Sequence, residues 1–201
     1  MKTTELNKIM KDLEFPLNYI KKGRLAYYFI EHNNGKILVG FYLDQTGYKE
    51  SFFLQFFVQC LYVPFITYNF SLGDRIGHHW EKEDIDKINN LIEKESRKLI
   101  TLSTFDNFID YLNSHSYFGH ESGKKQYYAY TFFFLDRYAD CINYLDKIIN
   151  LKNHNFKPEW FIKNIKDAES LTHFIINKEY KQAKDILIKW QAETISNLKI
   201  E

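Results

Sequence analysis

The apolar side chains of the first eighty residues follow a helical pattern and then a strand pattern. The apolar positions of Glu5–Leu13 share one face of a short helix. Asn33-Asn34-Gly35 and Thr46-Gly47 predict turns, because asparagine and glycine tolerate a positive φ. The β-favouring segments around these turns are Phe15–Lys22, Arg24–His32, Lys36–Asp44, Ser51–Val63 and Phe65–Leu72. Their order predicts an antiparallel meander of about five strands.

From Glu81 onward, the apolar residues repeat with the period of a helix. Acidic side chains begin this stretch, where they interact favourably with the positive end of a helix macrodipole. Ser103 is predicted to cap the next helix, with Asp106 three residues later as in a capping box. Ser114–Gly123 then reads as a polar loop between helices.

Two helical hairpins are predicted in the last part of the chain, over Tyr127–Leu151 and Trp160–Leu198. Each has a short polar turn followed by a tyrosine, and these tyrosines, Tyr138 and Tyr180, are 42 residues apart. With the tyrosines aligned, small or leucine side chains coincide, Cys141 with Ala183 and Leu145 with Leu187. The pattern resembles tetratricopeptide-type helical hairpins, although that family repeats about every 34 residues. The resemblance implies a concave surface that binds a protein or a peptide.

Glycine divides the chain into a strand region and a helical region. All eight glycines lie between Gly23 and Gly123. Because glycine supplies turns and weakens helices, we expect an α+β fold in which an N-terminal antiparallel β-sheet of about five strands packs with C-terminal helical hairpins. The chain is predicted to be one composite domain, with a helix and sheet at 1–80, connecting helices at 81–123 and helical hairpins at 124–201.

The composition excludes several classes of protein. With 45% apolar and 18% aromatic residues among its 201, the chain can bury enough surface to fold, which excludes intrinsic disorder. The 27 Lys and Arg residues against 26 Asp and Glu leave a net charge of +1, too little for a general nucleic-acid binder. Gln55, Gln59 and Asn69 interrupt the longest apolar runs, so no membrane-spanning helix is expected.

The cysteines and the N-terminus predict a cytoplasmic location. Cys60 and Cys141 lie far apart inside apolar runs, as expected for buried free thiols of a reduced protein. The N-terminus lacks the apolar segment of a secretory signal. No nucleotide-binding or nucleophile motif is present, so no cofactor is predicted. We expect neither a membrane nor a nucleic acid as a partner.

One polar cluster stands out as a candidate site. It contains Asp74, Arg75, His78, His79, Trp80 and Glu81. These residue types can bind metals or transfer protons, but adjacent histidines in a strand point to opposite faces and no spaced metal-ligand motif accompanies them. A structural interpretation is a corner between a strand and a helix, with Gly73 and Gly77 at the bends. A third interpretation is a protein contact, because Arg and Trp are frequent in binding hot spots.

A second resemblance covers the strand region. The segment Phe52–Pro64, followed by Gly73–Gly77, resembles a strand and turn pattern of small bacterial α+β proteins, some of which act as immunity proteins beside secreted toxins. The resemblance implies a small cytosolic protein that neutralises a partner by binding it. We therefore expect a non-enzymatic bacterial immunity protein that occludes a cognate toxin domain.

Two other functions remain open at this stage. One is a peptide-binding adaptor that uses the tetratricopeptide-like hairpins. The other is an enzyme with a site built from Asp74, His78, His79 and His120, in the 74–81 and 115–121 loops.

Overall fold

A computed structural model describes residues 1–16, 18–153 and 158–200. A helix, α1, comes first, five strands follow it, and six further α-helices complete the described part of the chain. The strands are β1 (Ile20–Lys22), β2 (Leu25–His32), β3 (Gly35–Gln45), β4 (Ser51–Cys60) and β5 (Gly73–Glu81). The helices are α1 (Thr3–Asp12), α2 (Ile85–Leu99), α3 (Phe105–Ser114), α4 (Glu121–Phe134), α5 (Tyr138–Ile149), α6 (Glu159–Ile176) and α7 (Tyr180–Leu198). Short 3-10 turns lie at Lys82–Asp84 and Asn150–Asn153.

The five strands form one antiparallel sheet in the order β1-β2-β3-β4-β5. Each strand pairs with the next along the chain, and β3 runs through the centre of the sheet. The predicted α+β fold with an antiparallel meander is therefore confirmed. Asn33 and Asn34 both adopt positive φ at the β2–β3 turn, as their side chains permit.

The prediction for the fifth strand was wrong. Phe65–Leu72 is an irregular segment, and the fifth strand is instead Gly73–Glu81, which was interpreted as a corner. The aromatic side chains of the irregular segment lie on the sheet face, where Tyr68 and Phe70 contact the rings of Tyr42 and Phe57. The aromatic residues of this segment are spaced so that they pack on the sheet. The same alternating spacing occurs in a paired strand, so the sequence pattern alone does not distinguish the two.

Smaller differences concern element ends. β1 contains only Ile20–Lys22 of the predicted Phe15–Lys22 strand. Thr104, and not Ser103, caps α3, because its hydroxyl accepts a hydrogen bond from the amide of Asn107 at 3.1 Å. α4 begins at Glu121, inside the predicted connecting region.

Both faces of the sheet are covered. The larger core lies on one face and contains strand residues such as Val39 and Leu54 together with residues from every α-helix. A smaller core lies on the other face, where Leu198 and Ile200 at the end of the chain cover Tyr27. The sheet and the helical hairpins therefore share one large core, and burial of this apolar surface is the main stabilising term.

The two predicted hairpins are confirmed as α4–α5 and α6–α7. Their turns have the same geometry, because Asp136 and Lys178 both adopt positive φ two residues before the aligned tyrosines. The rings of Tyr138 and Tyr180 stack on each other, with centroids 4.1 Å apart and planes 9° from parallel. The positions that the sequence aligns are thus also in contact.

Candidate protein-binding edge of the sheet

The candidate residues lie on β5, at one edge of the sheet. β5 pairs with β4 on one side, and no strand in the described part of the chain pairs with its other side. Asp74, Arg75, His78, His79 and Glu81 are exposed, and Trp80 is half-buried. An edge strand offers free backbone N–H and C=O groups as well as side chains.

Glycine shapes this edge at two positions. At Gly73, a Cβ atom would overlap the carbonyl oxygen of Phe56 on β4, so only glycine allows the strands to approach this closely. At Gly77, φ is +74°, and the register with β4 shifts between Phe52 and Leu54. Because Ile76 pairs with Leu54 and Trp80 pairs with Phe52, β5 has a bulge that begins at Gly77 and extends to His79.

Trp80 closes the bulge from one side. Its ring lies against Gly77, and its Nε1 donates a hydrogen bond to the carbonyl oxygen of Ile76 at 2.6 Å. The bulge divides the candidate residues into two groups. Asp74 and Arg75 precede it, whereas His78 and His79 lie within it and Glu81 follows it.

A groove of about 1190 Å³ runs beside the first group. It separates β5 from α2 and α3, and the loop before α4 forms one end. Its charged lining residues are Asp74, Arg75, Glu95, Lys98 and Asp110, and its aromatic ones include Tyr111 and Phe118. Phe118 is 70% exposed, which is unusual for a phenylalanine.

The two cationic residues that line the groove, Lys98 and Arg75, interact with neighbouring side chains. Lys98 Nζ donates to Glu95 Oε1 at 2.8 Å, within α2. The guanidinium of Arg75 lies over the ring of Phe53, 3.8 Å from its centroid. Asp74 Oδ1 accepts a hydrogen bond from the amide of Arg75 at 2.8 Å, and this amide therefore points away from β4. Neither Asp74 nor Asp110 forms an ion pair with any described residue.

Tyr111 lies at the floor of the groove and is only 9% exposed. Burial raises the pKa of its phenol, and the carboxylates of Asp74 and Glu95 raise the pKa further. The hydroxyl therefore stays protonated. It forms no hydrogen bond with any described residue, so it is available to a bound group.

The histidines do not converge on one centre. His115 lines the groove and stacks on Tyr111, with ring centroids 3.7 Å apart. His79, in the bulge, contacts Tyr48, and their ring centroids are 5.6 Å apart. His120 accepts a hydrogen bond from the amide of Ser122 at the start of α4. Among the residues that the structure describes, no three or more His, Cys, Asp or Glu side chains are arranged to hold a metal ion.

The first helix of the first predicted hairpin, α4, is covered by other parts of the chain. Every residue of α4 from Gln126 to Phe134 is buried, among the sheet and neighbouring helices. α4 therefore offers no open face to a peptide.

Both cysteines are buried and free. Burial raises the pKa of the Cys60 and Cys141 thiols, which disfavours the reactive thiolate. None of the described helices has the length and apolar composition needed to cross a membrane.

Comparison with known proteins gave no match: no family model, no curated protein and no solved structure matches this chain.

Sequence reasoning missed the helical side of the groove. Glu95, Asp110 and Tyr111 lie on amphipathic helices, where such residues read as part of a solvated face. No motif connects them with Asp74, which precedes them by at least 21 residues.

Proposed function

We propose that this is a non-enzymatic protein-binding protein whose partner docks along the outer edge of β5. The observation that carries the proposal is an unpaired edge strand beside an open groove, at the residues that sequence reasoning selected. A partner segment in an extended conformation can add to such an edge through backbone hydrogen bonds.

The size of the groove favours a protein over a small molecule. Its volume of about 1190 Å³ exceeds the roughly 300–1,000 Å³ of typical small-molecule pockets. The exposed ring of Phe118 at the end of the groove supplies an apolar anchor of the kind that dominates interface energies.

The partner that we propose is a toxin domain, neutralised by occlusion in the cytoplasm of a bacterium. The resemblance of Phe52–Pro64 and Gly73–Gly77 to immunity-type proteins supports this choice. Occlusion requires no catalytic group, which agrees with the scattered histidines and the buried thiols. The balanced net charge of +1 argues against a nucleic-acid partner.

A substitution pair at Arg75 tests the edge directly. In the free chain the outward amide of Arg75 donates to Asp74 Oδ1, so a partner carbonyl must replace that carboxylate when a strand is added. Arg75→Pro removes this amide and blocks strand addition, whereas proline is tolerated on the free side of an edge strand. Arg75→Ala is the matched control, because it removes the same side chain and keeps the amide. Circular dichroism and thermal melting verify that both variants fold.

The assay is co-purification of the tagged full-length chain from its native host, followed by mass spectrometry and calorimetry with the purified partner. We expect the wild type and Arg75→Ala to retain one stoichiometric partner, and Arg75→Pro to lose it. Failure to recover a stoichiometric partner would overturn the proposed function. Equal binding by Arg75→Pro and Arg75→Ala would show that the partner does not use the β5 edge.

A further inference from the structure

We infer that the partner strand carries an aspartate or a glutamate directly opposite Arg75. This inference rests on the proposed function and deepens it, because it names the side chain that the partner supplies. Two features carry it: the backbone of Arg75 points to the free edge of the sheet, and its guanidinium is held in place without a carboxylate partner.

The register of β5 directs the backbone of Arg75 to the free edge. Next to β5, the amide of Val58 donates a hydrogen bond to the carbonyl oxygen of Leu72 at 3.0 Å. Hydrogen-bonded residues alternate along an antiparallel pair, so Asp74 and Ile76 bond with β4, whereas the N–H and C=O of Arg75 point away from it. A strand added at this edge therefore places one residue directly opposite Arg75, with its side chain on the same face of the sheet.

The side chain of Arg75 lies on the sheet face opposite to the larger core. Ile76, the next residue, belongs to that core, whereas Arg75 stacks on Phe53 on the other face. Gly73 and Gly77 lie two residues away on either side and have no side chains. From Gly73 to Gly77, Arg75 therefore supplies the charge that an added strand meets on this face.

Arg75 lacks the carboxylate that a comparable arginine on the sheet has. Arg24 lies over the ring of Tyr42, 4.8 Å from its centroid, and pairs with Asp44 at 3.5 Å. Arg75 lies 3.8 Å from the centroid of Phe53 but forms no salt bridge with any described residue. Its guanidinium is exposed and keeps its positive charge. Because the ring already holds this group in place, a carboxylate that binds it loses less affinity to side-chain ordering.

A carboxylate is the group that matches this edge. A guanidinium binds a carboxylate through two parallel hydrogen bonds. Opposite charges directly across an antiparallel pair stabilise the pairing, whereas like charges weaken it. The partner residues on either side of the acidic one point to the groove, where Ile76, Leu102 and Phe118 supply apolar contacts. The expected partner segment therefore has an acidic residue between two apolar ones.

Three synthetic peptides that differ at one residue test the inference. The probe is the capped pentapeptide Thr-Val-Glu-Val-Thr, and its two controls carry glutamine or lysine in place of the glutamate. Nuclear magnetic resonance titration of the uniformly labelled full chain reports both affinity and location. We expect the glutamate peptide to shift the amides of Gly73–Gly77 at millimolar concentrations. It should bind about threefold more tightly than the glutamine peptide and about tenfold more tightly than the lysine peptide.

Charge reversal at Arg75 locates the effect. Arg75→Glu keeps the outward amide and should reverse the preference, so that the lysine peptide binds more tightly than the glutamate peptide. Arg137→Gln is the control, because Arg137 also stacks on a ring, that of Phe132, but lies on the turn between α4 and α5. This variant should keep the wild-type preference. Thermal melting verifies that both variants fold.

The possible outcomes separate this inference from the proposed function. Absence of shifts with the glutamate peptide, equal binding of the three peptides, or the same preference in Arg75→Glu as in the wild type would each overturn the inference. With the natural partner, Arg75→Ala should weaken binding about threefold in calorimetry, a loss that still permits co-purification. If Arg75→Pro abolishes that binding and Arg75→Ala leaves the affinity unchanged, the proposed function stands and the acidic residue is wrong. If no stoichiometric partner is recovered, the proposed function fails whatever the peptides do.

Discussion

Replacing Gly77 with alanine tests whether the bulge in β5 depends on glycine. Gly77 has φ of +74°, a conformation that costs an L-residue about 1–2 kcal/mol. The added Cβ would also overlap the ring of Trp80, which must then move away and release its hydrogen bond to Ile76. Loss of that bond costs about 0.5–1.5 kcal/mol. We therefore expect Gly77→Ala to lower the free energy of unfolding by about 2–3 kcal/mol.

The assay is urea unfolding followed by circular dichroism, together with thermal melting. For a chain of this size, the expected loss corresponds to a fall in melting temperature of about 4–12 °C. Native tryptophan fluorescence should also change, because the indole of Trp80 becomes more exposed. Gly47→Ala is the matched control: no atom lies within 4 Å of its added Cβ, and the variant should keep the stability of the wild type within about 0.5 kcal/mol. If Gly77→Ala unfolds at the same urea concentration as Gly47→Ala and keeps the wild-type fluorescence, the bulge does not depend on glycine and the reasoning is refuted.

Two further predictions concern the attachment of α7 and the tyrosines. Gln191 is 5% exposed and bridges the β2–β3 turn, accepting from the amide of Lys36 at 2.7 Å and donating to the carbonyl of Asn34 at 2.9 Å, so Gln191→Leu should cost about 2–3 kcal/mol in urea unfolding. An unchanged midpoint would show that the bridge contributes nothing. Burial raises the pKa of Tyr28 and of Tyr68 to about 12, whereas an unfolded tyrosine ionises near about 10. Between these values the unfolded chain loses protons that the folded chain retains, so the urea midpoint should fall as pH rises from about 9 to about 11, and a constant midpoint would contradict the shifts.

The sequence predictions were accurate where the conformation of a segment depends on residues close to it in the chain. The β2–β3 turn was predictable because Asn33, Asn34 and Gly35 determine their own backbone conformation. The helical hairpins were predictable because apolar residues repeat within each helix. β5 was not predicted as a strand, because an edge strand that buries only Ile76 lacks the apolar alternation of its neighbours.

The sequence predicted the β5 side of the candidate site but not its helical side. The polar cluster from Asp74 to Glu81 stood out by its composition, and these residues do lie at an exposed edge. The bulge at Gly77 divides the cluster, and the ring of Trp80 packs against that glycine. Both features depend on how β5 pairs with β4. Register depends on contacts across strands, which a reading of one strand does not contain.

The sequence by itself therefore determined the elements whose causes are local, namely the meander as far as β4, the helical periodicity after Glu81 and the matching turns before Tyr138 and Tyr180. Only the tertiary structure decided which segment completes the sheet and what faces its free edge. Asp74, Asp110 and Tyr111 meet there because α2 and α3 bury their apolar stripes against the same core. That burial is a sum over many distant contacts and has no fixed spacing along the chain.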